Sequence, residues 1–529
     1  MPDADVLVIG AGAAGAIVAA KLAEDAARRV ILLEAGGRGG HPGYRVPIMT
    51  GFLARSRFGV WADETAPEPR LAGRRIPWPH GRVLGGSAAI NGMVWMRGRP
   101  SDFERWAASG LADWGWAAVE QAYAQIEATP EEGRRGGRIP VTRHAGENPL
   151  YRCFVEAGLQ AGFPEAVDFN RGPQEGVGRL SVNIADGERQ SSARIFLEPA
   201  RARRNLRVVT HATVTRLRFK GRRIAGATAR LGGKSVEFSA DRVVLCGGTV
   251  NSAQLLLLSG IGPPEELAAH GIPVVQERPG VGRNLQDHVC VRVAYESREP
   301  VSLHSLARVD RAALGFLEAW LRGTGPAATT PFGAGFLLRS EAAEPEPDLE
   351  GVFVPVLATA RLWLPGLRPP ESGHGFVGTV YPVRPESRGH LRLRSADPTE
   401  RPIIVANYLS SAEDRRRLRR GVRVMRELFS QPAFDRYRGR SLFPECGDDD
   451  AALDAAIADI ASSAYHPVGS CKMGPASDPL AVVDGRLRVH GMEGLQVADA
   501  SIMPTLTSGN TNAPSMMIGL RCAQFIRSE

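Results

Sequence analysis

Short apolar runs punctuated by glycine open the chain. Residues 5–9, Asp-Val-Leu-Val-Ile, run straight into Gly10, the pattern of a buried parallel strand. The Ala-rich stretch Ala16 to Leu22 predicts a helix, and Val30-Ile31-Leu32-Leu33 predicts a second strand that ends at Glu34. Gly36 to Arg75 is rich in Gly, Pro and Arg and reads as a loop. Helical periodicity returns from Asp102 to Ala128, with Trp106, Trp114 and Trp116 as packing anchors. Strand patterns follow at 206–209, 213–217 and 242–246, the last entering an apolar helix from Ser252 to Leu258. Beyond residue 300 the texture changes. Strands are predicted around 349–356 and 375–383, with charged helix Ala412 to Phe429 and a second helical run from Ala451 to Ser462. A closing helix follows Pro514.

This order predicts an α/β fold. A Rossmann-like nucleotide domain is expected mainly over 1–299, with a lid or loop segment at about 36–100. A sheet-and-helix substrate domain (α+β) is expected over 300–460, and 461–529 returns to the first domain through Leu495 to Ser501.

The first candidate chemistry lies between the two N-terminal strands. Gly10, Gly12 and Gly15 have Gly-x-Gly-x-x-Gly spacing, which suits a tight turn, close approach of a pyrophosphate and close helix–strand packing. The helix that follows points its amides at the phosphates. Glu34, nineteen residues after Gly15, stands where a ribose hydroxyl pair is bound. The spacing alone does not separate FAD from NAD. Gly81 to Gly92 is a second run of small residues that permits close backbone approach to a ligand.

The second candidate lies late in the chain. His466 sits in the turn Ala464-Tyr465-His466-Pro467-Val468-Gly469, and Asn510 in the polar cluster Ser508 to Pro514. An imidazole and an amide from two late segments could flank one reacting atom, with His466 as the candidate base.

Composition narrows the field without changing this picture. The chain has 529 residues and a net charge of +8. Its lysines are only Lys21, Lys220, Lys234 and Lys472, so the positive charge is almost wholly arginine. The arginines are spread out, and the densest run, Arg415 to Arg420, lies on a helix behind Glu413 and Asp414, so a solvated face is expected and no nucleic acid partner. Six cysteines lack metal-ligand or disulfide spacing, so free thiols and no metal are expected. No apolar stretch approaches the roughly 20 residues of a membrane helix. The first strand pattern begins within five residues of Met1, leaving no signal peptide, and the expected location is cytoplasmic.

With these residues in hand, the chain resembles the glucose–methanol–choline (GMC) oxidoreductase family of FAD enzymes. The resemblance runs nearly end to end. It takes in the N-terminal unit with Glu34, Gly81 to Asn91, Ser259-Gly260-Ile261-Gly262, Pro279 to His288, Arg384 to Gly389, Asn407-Tyr408-Leu409, the His466 turn and Asp499 to Pro504. Ala88 and Ala253 depart from the family's usual residues, but both remain small.

The resemblance implies FAD, held by Gly10, Gly12, Ala13, Ala14, Gly15, Glu34 and Ala35. It further implies Val83, Gly86, Ser87, Asn91, Met93 and Val94 near the flavin, Val214 at the adenine, and Asp499, Ala500, Thr511 and Asn512 along the chain between them. Ile90 stands where some members carry a histidine that links FAD covalently, so non-covalent FAD is expected. The implied reaction is oxidation of a primary alcohol to an aldehyde by hydride transfer to flavin N5, with His466 and Asn510 catalytic. Electrons then pass to O2 or a quinone-type acceptor.

Trp61, Phe332, Phe353, Trp363, Phe376 and Tyr465 are expected to contact substrate. Choline-oxidising relatives hold trimethylammonium with aromatic rings and a carboxylate. The corresponding segment, Pro331 to Phe336, has no carboxylate, which disfavours choline. A hydroxynitrile-lyase-like enzyme and a choline-type dehydrogenase remain the alternatives.

Overall fold

The computed structural model describes residues 2–56, 58–129 and 136–529. Its first sheet has the strand order Leu206–Val209, Val30–Leu33, Ala4–Ile9, Lys234–Leu245, Arg223–Leu231, Ala212–Lys220, with Leu495–Val497 also against Lys234–Leu245. Ala4–Ile9 is parallel to both neighbours, with Val6 opposite Val30 on one side and Arg242 on the other. Lys234–Leu245 has two roles. Its first half is antiparallel to Arg223–Leu231, and its second half joins the parallel strands. Helix Gly15–Leu22 is buried almost throughout, as a helix between a sheet and a second helix must be. The closing helix Asn512–Arg527 packs on it.

The second sheet is antiparallel, in the order Arg438–Ser441, Val289–Ser297, Gly375–Pro382, Leu349–Val354, Ala334–Leu338, Gly176–Arg179. Two of its strands, Gly176–Arg179 and Val289–Ser297, come from outside 300–460, so that segment does not hold the whole sheet. Texture along the chain could not show this, because the pairing partners are far apart in sequence. Ser462–Ser463 pairs with the start of Val289–Ser297, Val289 opposite Ser463. That short ladder fixes the late His466 turn beside residue 288.

Helix Ala412–Ser430 covers one face of the second sheet. Ser411 caps it by accepting the Glu413 N–H, and Leu418, Val422, Met425, Leu428 and Phe429 form its buried stripe. Its arginines are not a free basic face. Arg416 pairs with Glu413, Glu341 and Glu344, Arg417 with Asp348 and Glu413, and Arg419 with Asp450 and Asp454.

Two local expectations change. The stretch 36–75, expected as loop, contains helix Thr50–Arg55 and the first strand of a hairpin, Val60–Glu64 against Pro77–Gly81. Prolines and charged residues in this two-stranded ribbon hide its strand character. The helical stretch 102–128 is two helices, Pro100–Ala108 and Trp116–Ile126, and Trp116 is only half-buried.

The period-two alternation of strand Leu349–Val354 decides which side chains can reach a ligand. Phe353 points to the helix-covered face, where its ring lies 4.7 Å from Phe154, 6.0 Å from Phe376 and 6.1 Å from Phe434. Phe353 and Phe376 are fully buried there. Replacing Phe353 with Ala is therefore expected to lower stability by about 3–5 kcal/mol, the usual range for a core Phe, while leaving the pattern of accepted substrates unchanged. Denaturant unfolding alongside a substrate panel checks both halves.

Candidate active site

One cavity of about 1610 Å3 runs between the two sheets. At one end it is lined by Gly10, Gly12, Ala13, Ala14, Glu34, Ala35 and Val214, and at the other by Tyr465, His466 and Asn510. Gly86, Ser87, Asn91, Met93, Val94, Asp499, Ala500, Thr511 and Asn512 line it between. Single-ligand pockets are usually about 300–1,000 Å3, so this one has room for a dinucleotide and a substrate together.

The residues present fit a dinucleotide. At Gly12 a Cβ would meet no protein atom within about 4.0 Å and would stand in the cavity itself. Glu34 Oε2 accepts the Ala11 N–H at 2.9 Å and Oε1 accepts the Gly36 N–H at 2.7 Å, which holds the turn open around the carboxylate. Asn510 Oδ1 and Asn512 Nδ2 are buried and have no hydrogen-bond partner among the described residues. Unpaired buried polar atoms at a cavity wall are what a polar ligand satisfies.

Two expected cofactor contacts are corrected. Gly15 does not line the cavity. A Cβ there would lie 2.0 Å from the Gly10 carbonyl oxygen, so this glycine serves helix–strand packing. Val83 is buried with Leu53, Ala89 and Ile90 behind the cavity wall. Among the expected substrate contacts, Trp61, Phe332 and Tyr465 line the cavity, whereas Phe353, Trp363 and Phe376 do not. Val352, Val354, Val377 and Thr379 line it instead, from the opposite face of the strands that carry the two phenylalanines. Trp363 stacks on His304 at 6.4 Å, outside the cavity lining. The Trp61 ring already carries two guanidinium groups, Arg82 at 4.4 Å and Arg401 at 4.5 Å.

His466 and Asn510 meet, with Asn510 Nδ2 2.9 Å from His466 Nε2. A third residue, read from the sequence as structural, completes the group. His288 Nδ1 lies 2.9 Å from His466 Nδ1, and His288 Nε2 lies 3.0 Å from the Val383 carbonyl oxygen. These contacts fix the protons. A carbonyl only accepts, so His288 carries its proton on Nε2 and accepts at Nδ1. His466 therefore donates from Nδ1, which leaves Nε2 with its lone pair. Asn510 Nδ2 donates to that lone pair. Burial and the neighbouring His288 hold the His466 imidazole well below its ordinary range, so it is neutral at neutral pH.

The backbone around this pair is pinned by Asp287. Its carboxylate accepts the His466 N–H at 2.7 Å, the Ser463 hydroxyl at 2.5 Å and the Tyr408 hydroxyl. Gln286 Oε1 accepts the Leu506 N–H, and its Nε2 donates to the Pro504 carbonyl oxygen. Asp102 accepts the Ser508 N–H at 2.7 Å and the Ser508 hydroxyl at 2.9 Å, which holds the segment that delivers Asn510. Arg189, also missed from the sequence, is fully buried and donates to Asn91 Oδ1 at 2.7 Å and to Thr50 Oγ1 at 2.8 Å.

With this geometry in place, comparison with known proteins gives the family. Models described as GMC oxidoreductase match residues 4–290 and 385–519. The chain belongs to the GMC oxidoreductase family. It is 42% identical to the oxygen-dependent choline dehydrogenase of Pseudomonas savastanoi pv. phaseolicola over 541 aligned residues, covering 99% of this chain and 93% of the relative. Among solved structures it resembles pyridoxine 4-oxidase from Mesorbium loti, with a TM-score of 0.88, 32% identity and full coverage of both chains. Formate oxidase superposes with a TM-score of 0.91 at 26% identity, covering 99% of this chain and 98% of that one.

The enzyme is thus an FAD-dependent oxidoreductase acting on CH–OH donors. No helix among the described residues is long and apolar enough to cross a membrane. All six cysteines are free, and five are buried.

Burial raises the Glu34 carboxyl to about 6 even though two amides and Arg82 oppose the shift. With FAD bound, the ionised group would accept ribose hydroxyls with both oxygens, and protonation would remove one of those acceptors. FAD retention is therefore expected to weaken as pH falls through about 6. Glu34→Gln should hold FAD at every pH about as weakly as the wild type does at low pH, and lose this dependence. Equilibrium dialysis of FAD between neutral and mildly acidic pH measures both effects.

Proposed function

We propose that the enzyme oxidises a primary alcohol to the aldehyde, with His466 taking the hydroxyl proton and Asn510 orienting the hydroxyl. The observation that carries this reading is the ordered pair of imidazoles. Val383 sets the proton of His288, His288 sets the proton of His466, and the His466 Nε2 lone pair faces the cavity beside Asn510.

A neutral, buried imidazole is a ready acceptor for the proton of a hydroxyl that takes the place of the Asn510 amide at Nε2, with the displaced amide then turned to the hydroxyl oxygen. As His466 becomes cationic, its Nδ1–H keeps its acceptor on His288, which stabilises the new charge without moving a ring. The Asn510 Oδ1 atom, buried and free of partners among the described residues, is an acceptor for a substrate or cofactor donor. Val352 and Val377, both buried, make the second-sheet wall of this end apolar. Bound FAD supplies the two-electron acceptor for the hydrogen on the alcohol carbon. Glu34, Gly12 and the Ala13–Ala14 turn would hold its adenosine half, and Ser87, Asn91, Thr511 and Asn512 would lie toward its flavin half. Reoxidation by O2 or another acceptor completes the cycle, and the oxygen-dependent relatives support O2.

A choline-type dehydrogenase is the second reading, favoured by the names of relatives about 40% identical. The two readings share the base and differ in the charge of the substrate.

Non-covalent FAD is supported by Ile90, which lines the cavity with a side chain that cannot form a link to the flavin. Acid or heat precipitation is expected to leave yellow FAD in the supernatant. Colour retained in the washed polypeptide would show a covalent link.

His466→Ala is expected to keep FAD and to lose alcohol-driven flavin reduction by about 10²–10⁴-fold, the usual worth of a positioned base. Raising the pH should partly restore it, since hydroxide can take the proton instead. Asn510→Ala should lose less, about 1–3 kcal/mol for one unpaired hydrogen bond. Anaerobic stopped-flow reduction at saturating alcohol across pH gives the ordering. Wild-type reduction by His466→Ala would move the base to another residue.

A further inference from the structure

Three arginines share the cavity with His466 and Asn510: Arg55, Arg292 and Arg361. They come from helix Thr50–Arg55, strand Val289–Ser297 and the segment after strand Leu349–Val354. Arg55 Nη2 and Arg361 Nη1 both donate to the Ala358 carbonyl oxygen, at 2.8 and 3.0 Å, so two guanidinium groups converge on one neutral acceptor. Arg292 lies opposite Thr379, another cavity residue, and its charge bears on Tyr465, next to His466. Arg55 and Arg361 are solvent-exposed and Arg292 half-buried; what burial Arg55 has, with the charges of Arg361 and Arg292, depresses it.

Many arginines of this chain are neutralised by a carboxylate, but none of these three forms an ion pair among the described residues. The carboxylates that line the cavity are otherwise engaged. Glu34 holds the amides of Ala11 and Gly36, and Asp499 accepts from Gly248, Ser252 and Ser501. Asp63 makes two hydrogen bonds to Arg401, and Glu64 lies 3.5 Å from Arg75. Glu350, buried beside Tyr381 and Gly509, does not line the cavity, so the lining at the substrate end carries arginine charge with no carboxylate of its own to pair it. Clustered guanidinium groups repel one another until an anion enters, and their forked donors match carboxylate and phosphate oxygens.

We propose that the alcohol oxidised by this enzyme carries an anionic group, a carboxylate or a phosphate, held by Arg55, Arg292 and Arg361 while its hydroxyl takes the place of the Asn510 amide at His466 Nε2. This rests on the alcohol-oxidation reading above and names its substrate class. A quaternary ammonium would instead add a fourth positive charge to the same end of the cavity. Nor is Trp61 free to act as a cation-binding wall, because Arg82 and Arg401 already lie over its ring. The charge of the site thus separates this enzyme from a choline-oxidising one despite the sequence similarity.

The test uses the FAD-loaded enzyme in two arms. In the first, anaerobic flavin bleaching compares 4-(hydroxymethyl)benzoate, 4-(hydroxymethyl)phenyl phosphate, benzyl alcohol and choline. At least one anionic alcohol is expected to exceed benzyl alcohol in kcat/KM by about tenfold or more, with an advantage that shrinks as salt rises. Whichever anion gains more identifies the group. Arg292→Gln and Arg361→Gln should each reduce the ratio of anionic to neutral kcat/KM.

In the second arm, calorimetry measures binding of 4-methylbenzoate, which has no hydroxyl to oxidise, against 4-methylbenzamide. Tighter binding of the carboxylate, lost in the same variants, supports the anion site. If 4-methylbenzoate binds in this arginine-dependent way but no alcohol bleaches the flavin, the oxidation reading fails and the anion site stands. If benzyl alcohol or choline bleaches the flavin and the anions gain nothing in rate or binding, the oxidation reading stands and the anion site is overturned.

Discussion

The position of His466, the proposed base, depends on one buried carboxylate. Asp287 accepts the His466 backbone N–H and the hydroxyls of Ser463 and Tyr408, and the Tyr408 hydroxyl in turn accepts from Trp78 Nε1 at 2.9 Å. Burial pushes the Asp287 carboxyl up to about 6, and the hydrogen bonds it receives oppose that rise. Losing it would leave several buried donors unpaired at about 1–3 kcal/mol each. Its neighbours extend the same clamp, Gln286 to the segment that carries Asn510 and His288 to the His466 ring. Three consecutive residues thus bring together parts of the chain that are remote in sequence. The strand pairing of Val289 with Ser463 supplies the rigid support beneath them.

The nucleotide end was readable in the sequence because its determinants are local. The glycine spacing, the strand–helix–strand order and Glu34 all lie within residues 4–34; Gly12 and Glu34 stand at the cavity wall, and Gly15 packs helix against strand, as the spacing implies. His466 and Asn510 needed the family resemblance, since a lone histidine in a turn has no distinctive pattern. His288 escaped because its role exists only through a ring-to-ring contact across 178 positions. Phe353 and Phe376 were misread for a different reason. Both faces of the second sheet are covered, so its strands are apolar on both sides and the pattern does not say which face meets the cavity. Register settles it, placing Val352 and Val354 on the cavity side and Phe353 against the helix.

Arginine content was equally ambiguous before the ion pairs were visible. A net charge of +8 could belong to a solvated helix face or to a ligand site. Pairing separates the two. The dense run on helix Ala412–Ser430 is bound up with glutamates and aspartates, whereas Arg55, Arg292 and Arg361 converge on the cavity without carboxylate partners among the described residues. Three unpaired guanidinium groups therefore carry more information about the substrate than the run of five on the surface.

The same geometry keeps substrate choice apart from the chemistry. The depressed imidazole of His466 owes its state to burial and to His288, while Arg55 and Arg292 act on each other and on Tyr465. Charges at the mouth can then be exchanged without retuning the base or its fixed proton. Proteins with the same fold are free to diverge in the substrate they accept, because specificity is a difference in binding that the substrate end of the cavity controls. The lone pair on His466 Nε2 is set from behind, by a carbonyl and a second ring. A substrate of any charge would meet it in the same state.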